Sequence, residues 1–149
     1  MAPSDPIRRG WRKQQSGPPW VQRCVCFPKL LSLLGANPLA AGVCGLAFLG
    51  FPLHPAGRPS QERAAHLFDV QIPMLFLQGT RDTLASLDQI EPLCKKLGKR
   101  ATLKLFTDAD HFFHVPARTG RKDAQVLGDM IDAFVTWFDD VIVPFVKKS

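Results

Sequence analysis

Two short apolar runs, each followed by a loop that carries an ionisable residue, limit most strongly what this chain can fold into. Met74 to Gln78 is introduced by Pro73 and stopped by Gly79, and its unbroken apolar character predicts a strand buried on both faces. Thr102 to Phe106 is read in the same way. Between them Ser86 is placed to cap a helix running to about Leu97, with Leu87, Ile90 and Leu93 or Cys94 on one face and Gly98 as the stop. Strand, helix and strand in this order make a right-handed parallel unit, and such units bind and react at the loops beyond the carboxyl ends of their strands. Asp82 follows the first strand and His111 the second, so both stand where a parallel sheet keeps its chemistry.

The rest of the chain extends this α/β pattern. Gly45 to Phe51, GLAFLGF, predicts another buried strand, ended by Pro52, and Trp20 to Phe27 has the β-branched and aromatic content of a fourth. Pro28 suits a first helical position, with Lys29 to Leu34 a short helix ended by Gly35. The three prolines and one glycine of PLHPAGRPSQ predict a loop, and Glu62 to Phe68 a helical turn or two leading to Asp69. Lys122 to about Val143 is the longest predicted helix. Val126, Met130, Ile131, Phe134, Val135, Phe138 and Ile142 recur along it at three- and four-residue steps as a core-facing stripe, and Pro144 limits it.

Charge divides the chain. Arg8, Arg9, Arg12, Lys13, Arg23 and Lys29 against Asp5 hold most of the formal +6, which leaves the remainder close to neutral. Residues 1–19, rich in Pro, Ser, Gln, Arg and Gly, are expected to form a disordered basic tail, and residues 20–149 a single domain. The basic character therefore gives no nucleic-acid surface on the domain itself. Leu30 to Leu53 holds no charged residue, yet Asn37, Pro38 and the glycines at 35, 42, 45 and 50 argue against a membrane-spanning helix. Cys24, Cys26, Cys44 and Cys94 make no zinc pattern, and reduced thiols fit an intracellular setting, cytoplasmic or nuclear. Asp108, Asp110, His111 and His114 lie in one extended stretch without a second ligand cluster, so neither a metal nor a cofactor is expected.

The run GLAFLGFPLHPAGRPSQERAAHLFDVQIPMLFLQGTRDTL, then KLFTDADHFFHV, then the long terminal helix, resembles the carboxyl half of the dienelactone-hydrolase-like α/β-hydrolases. That branch includes a testis-expressed hydrolase-like protein, a subunit of a histone acetyltransferase complex and many bacterial hydrolases. The resemblance covers roughly Ser32 to Val143. It implies a partial α/β-hydrolase fold, with Gly45 to Phe51, Met74 to Gln78 and Thr102 to Phe106 as the sixth to eighth strands of the family's sheet. It implies further that Asp82 matches the triad acid and His111 the triad base, and that His54 and Arg58 rim the pocket unless they are merely solvated.

A serine hydrolase needs an imidazole to take the nucleophile's proton and a carboxylate to orient that imidazole, in the chain order nucleophile, acid, histidine. Asp82 before His111 satisfies the order, but the sequence contains no G-x-S-x-G. The resemblance points at Val25 for the nucleophile, flanked by Cys24 and Cys26. The strained turn demands small residues two positions to either side, where Cys24 has Gln22 and Cys26, and Cys26 has Cys24 and Pro28. Cys44, in GVCGL, precedes strand rather than helix.

Three expectations follow: an ester or acyl hydrolase relative that is inactive as this chain, a non-catalytic interaction module of a chromatin or other complex, or an esterase with an atypical cysteine nucleophile. With three strands, or four if Trp20 to Phe27 joins them, Gly45 to Phe51 would expose an edge for a protein partner or a second copy to cover. A small-molecule ester would be the ligand of an active form.

Overall fold

The computed structural model describes residues 43–54 and 62–148. The expectations for residues 1–19, for a strand over Trp20 to Phe27, for a helix from Lys29 to Leu34, and for Cys24, Val25, Cys26 and Arg58 lie outside the described residues.

Three parallel strands form one sheet in the order β1-β2-β3: β1 is Leu46–Leu49, β2 Met74–Gly79 and β3 Ala101–Phe106. A 3-10 helix, Glu62–Asp69, leads into β2, and α1, Leu87–Leu97, crosses from β2 to β3. Phe48 pairs with Phe76 and Phe76 with Leu103, so three apolar side chains lie abreast at mid-sheet. This is the partial α/β-hydrolase arrangement expected from the sequence.

β2 is central, and each of its residues from Met74 to Gln78 is buried. Alternation sends Met74 and Phe76 to one face, with Ile90, Leu93 and Leu97 of α1 and Leu67 of the 3-10 helix. Leu75 and Leu77 go to the other, with Val126, Met130 and Trp137 of α2, Asp123–Trp137. Burial of each such side chain contributes roughly 1.5 to 3 kcal/mol. Phe76 stacks on Phe48 at 4.9 Å between centroids and meets Phe51 edge-on at 5.7 Å, which locks β1 to β2.

β3 departs from the expectation of burial on both faces, since Lys104 and Leu105 are exposed. The cause is its place in the sheet. It pairs only with β2 among the described residues, and a lysine there guards an open edge.

In α1, Gly98 closes the helix as expected, its N–H donating to the carbonyls of Cys94 and Lys95. Ser86 occupies the N-cap position without a side-chain hydrogen bond; its carbonyl accepts the N–H groups of Gln89 and Ile90.

The terminal helix corrects two expectations. Pro144 does not end it: α2 passes through a π-helical turn, Phe138–Ile142, into α3, Val143–Lys148. Proline lacks an N–H and clashes with the carbonyl four residues back, and the wider turn, with Val143 N–H donating to Phe138, takes up that conflict. The expected stripe also divides. Val126, Met130 and Ile142 are buried together with Trp137, whereas Ile131, Phe134, Val135 and Phe138 are exposed, as is Leu127. Seven apolar positions at three- and four-residue steps cover two adjacent helix faces, and the sheet takes only one of them.

No helix among the described residues is long and apolar enough to cross a membrane.

Candidate active site

At the carboxyl ends of β2 and β3 the two following loops are joined backbone to backbone. Thr80 N–H donates to Phe106 O at 3.0 Å and Arg81 N–H to Ala109 O at 2.9 Å, while Asp108 N–H donates to Thr80 Oγ1 at 2.9 Å. Gly79 permits this approach, because a Cβ there would lie 2.3 Å from Ala109 O and 2.5 Å from Asp110 O.

The loop after β3 is held from within. Asp110 Oδ1 accepts the N–H groups of Phe112 at 2.8 Å and His114 at 3.0 Å, and Asp110 N–H donates to His114 O. Phe113 takes φ 64°, uncommon for a bulky residue, with its ring edge-on to Phe106 at 5.6 Å. This arrangement turns His111 inward. Its ring lies against Gly50, at φ 67°, where a Cβ would come within 3.2 Å of Nδ1 and 2.9 Å of the His111 carbonyl.

His111 Nδ1 lies 2.8 Å from Asp82 Oδ2, so the structure brings together the two residues expected from the sequence. Asp82 is 4% exposed. Its Oδ1 accepts Leu84 N–H at 2.7 Å, and its Oδ2 also accepts from Gln78 Nε2. A carboxylate only accepts, so Nδ1 is the donor and the neutral ring keeps its lone pair on Nε2. That is the tautomer a general base requires when the proton it takes arrives at Nε2.

Gln78 joins the site without being among the residues expected there from the sequence. Its amide spans from Asp82 to Phe51 N–H, which donates to Oε1 at 3.1 Å. The available signal was a polar residue ending an apolar strand, four positions before the acid. His54 is 5% exposed, which excludes the solvated alternative for it; its N–H and that of Leu53 donate to Leu84 O, which ties the loop after β1 to the Asp82 loop.

The other candidates lie apart. His114 Nδ1 contacts Asp123 Oδ2 at 2.6 Å on the surface. That hydrogen bond holds the imidazole above its ordinary pKa and the carboxyl below its own. The pair therefore stabilises between the two: its contribution fades as pH rises through the raised histidine value or falls through the lowered aspartate value, and exposure keeps it small. With Asp110 closing its own loop, Asp108, Asp110, His111 and His114 do not converge. Among the described residues no three His, Cys, Asp or Glu side chains are placed to hold a metal. Burial pushes the Cys94 thiol up to about 12, which leaves it unreactive, and Cys44 is half-buried.

A family model described as an alpha/beta hydrolase domain matches residues 31–139. Solved structures similar to the chain include a lidless α/β serine hydrolase from Xanthomonas campestris, at 24% identity and TM-score 0.45, over 72% of this chain and 43% of that one. Another is an α/β serine hydrolase homologue from Coxiella burnetii, at 20% identity and TM-score 0.42, over 56% of this chain and 36% of that one. The chain thus spans less than half the length of either structure. No curated protein matches it.

Proposed function

This chain belongs to the alpha/beta hydrolase domain family, and from that premise we propose that it carries the acid and base of a serine-hydrolase-type site without a nucleophile of its own. The observation that carries the reading is the 2.8 Å contact between His111 Nδ1 and the buried Asp82 carboxylate. In acyl transfer the nucleophile's proton passes to His111 Nε2, the ring becomes an imidazolium, and Asp82 stabilises that charge through Nδ1–H. Ester or acyl substrates are the class this pair serves, and within the family the quoted motifs favour the dienelactone-hydrolase-like branch. Free Cys44 and Cys94 fit a reducing, intracellular setting.

The sequence holds no G-x-S-x-G, so as this chain the protein is inactive toward esters. Labelling tests this. A fluorophosphonate and an iodoacetamide-type probe are expected to give no labelling that depends on His111, as judged against His111→Ala. Labelling lost in that variant would overturn the inactive reading and identify an atypical nucleophile, with Cys24 and Cys26 the first residues to map.

A second reading, a non-catalytic interaction module, is favoured by the exposed Leu127, Ile131, Phe134 and Phe138 on one side of the terminal helix and by β1, which pairs on one side only among the described residues. On that reading wild-type protein associates with concentration in size-exclusion chromatography with light scattering, or retains a partner in a pull-down. Phe134→Ser weakens either interaction. A monomer at all concentrations that captures no partner would eliminate it.

A further inference from the structure

Four contacts around the acid close into a ring. His111 Nδ1 donates to Asp82 Oδ2, Gln78 Nε2 donates to the same oxygen, and Phe51 N–H donates to Gln78 Oε1. Gly50, the neighbour of Phe51, is the backbone against which the His111 ring rests. The direction of every bond is fixed. Phe51 N–H can only donate, so the amide oxygen must face it, and the amide nitrogen must then face the carboxylate. Gln78 has zero exposure and stands in the central strand, where neither end of its amide has water as an alternative.

We propose that Gln78 is a positioning residue, one that aims the Asp82 carboxylate at His111 and ties that aim to the backbone at Phe51. This rests on the reading of Asp82 and His111 as an acid–base pair and adds to it the group that orients the acid. A carboxylate held only by Leu84 N–H at Oδ1 could still rotate Oδ2 away from the imidazole. Donation from Gln78 removes that freedom, because the β-strand backbone on one side and Phe51 on the other hold the amide in place. It also partly neutralises the oxygen that faces Nδ1–H, so the carboxylate remains a pure acceptor toward the ring.

Substitutions at 78 separate positioning from plain structural support. Gln78→Glu keeps the acceptor for Phe51 N–H and replaces the amide donor to Asp82 with a carboxyl, which donates there only while it holds a proton. Gln78→Leu loses both at similar volume. The readout is the pair of imidazole nitrogen chemical shifts of His111, which report its tautomer, with thermal melting recorded alongside. In wild type the shifts are expected to show Nδ1 protonated and Nε2 bare. In both variants the expectation is a mixed tautomer, or a ring whose titration midpoint is displaced. In Gln78→Glu the displacement is upward, since a second carboxylate beside Asp82 favours the imidazolium.

A purely structural Gln78 predicts a lowered melting temperature for Gln78→Leu with unchanged His111 shifts in both variants, and that result would overturn the proposal. One further measurement needs no substitution at 78: the side-chain amide resonance of Gln78 in wild type should move as His111 titrates, and an unmoved resonance counts against the proposal. Failure of the underlying reading looks different. Wild-type His111 would then show a protonated Nε2 or no contact with Asp82, whatever residue stands at 78.

Discussion

Gly79→Ala is expected to lower the stability of the domain by about 3 kcal/mol or more, at the upper end of what overpacking costs, and to part His111 from Asp82. The added methyl would meet two carbonyl oxygens and a carbonyl carbon of Ala109 and Asp110, all closer than 3 Å. These are backbone atoms. They cannot turn aside as a side-chain tip does, so either the β2 terminus or the whole loop after β3 must shift. Shifting the loop breaks the Arg81 to Ala109 bond and carries His111 with it. Gly128→Ala in α2 is the control, because its Cβ meets nothing within 4 Å, and helix propensity predicts a gain of up to about 1 kcal/mol. Urea unfolding of both variants checks the pair. A Gly79→Ala protein within about 0.5 kcal/mol of wild type would show that the two loops are not packed as described.

The sheet and the positions of Asp82 and His111 in the loops beyond it were legible in the sequence for local reasons. Met74 to Leu77 declares its burial because no position along it prefers water, and Asp82 and His111 declare their loops by following Gly79 and Phe106 within five residues. What stayed hidden depends on residues far away in the chain. β3 resembles β2 in composition, but its exposure follows from having one neighbour instead of two among the described residues, and strand order is a non-local property. The terminal helix shows a strong three- and four-residue pattern from Val126 to Ile142, yet nothing in that pattern tells which of its two apolar faces the sheet will cover. Pro144 looked like a terminator because proline usually is one; the π turn before it resolves the clash inside the helix. Gln78 is the sharpest case. Its role depends on Phe51, 27 residues earlier, and on an aspartate whose side chain curls back to meet it.

The same contacts make Asp82 the residue whose loss should be felt most widely. Asp82→Ala is expected to destabilise the fold by about 3 kcal/mol or more, because three donors lose their acceptor together: Gln78 Nε2, Leu84 N–H and His111 Nδ1. Asp82→Asn should cost less, about 2 kcal/mol, and it distinguishes the partners. If its amide oxygen serves Leu84, its NH2 replaces the carboxylate oxygen that Gln78 and His111 both use. His111 can answer by moving its proton to Nε2 and accepting at Nδ1. Gln78 cannot, since its oxygen is already committed to Phe51. Nitrogen chemical shifts of His111 in Asp82→Asn should therefore report a protonated Nε2, the tautomer that cannot take a proton there, while urea unfolding gives the smaller loss. Equal stability of the alanine variant and wild type would mean that the buried carboxylate does not organise these loops. A His111 still protonated at Nδ1 in the asparagine variant would mean that some group other than Asp82 sets the ring's tautomer, and the acid–base pairing would fall with it.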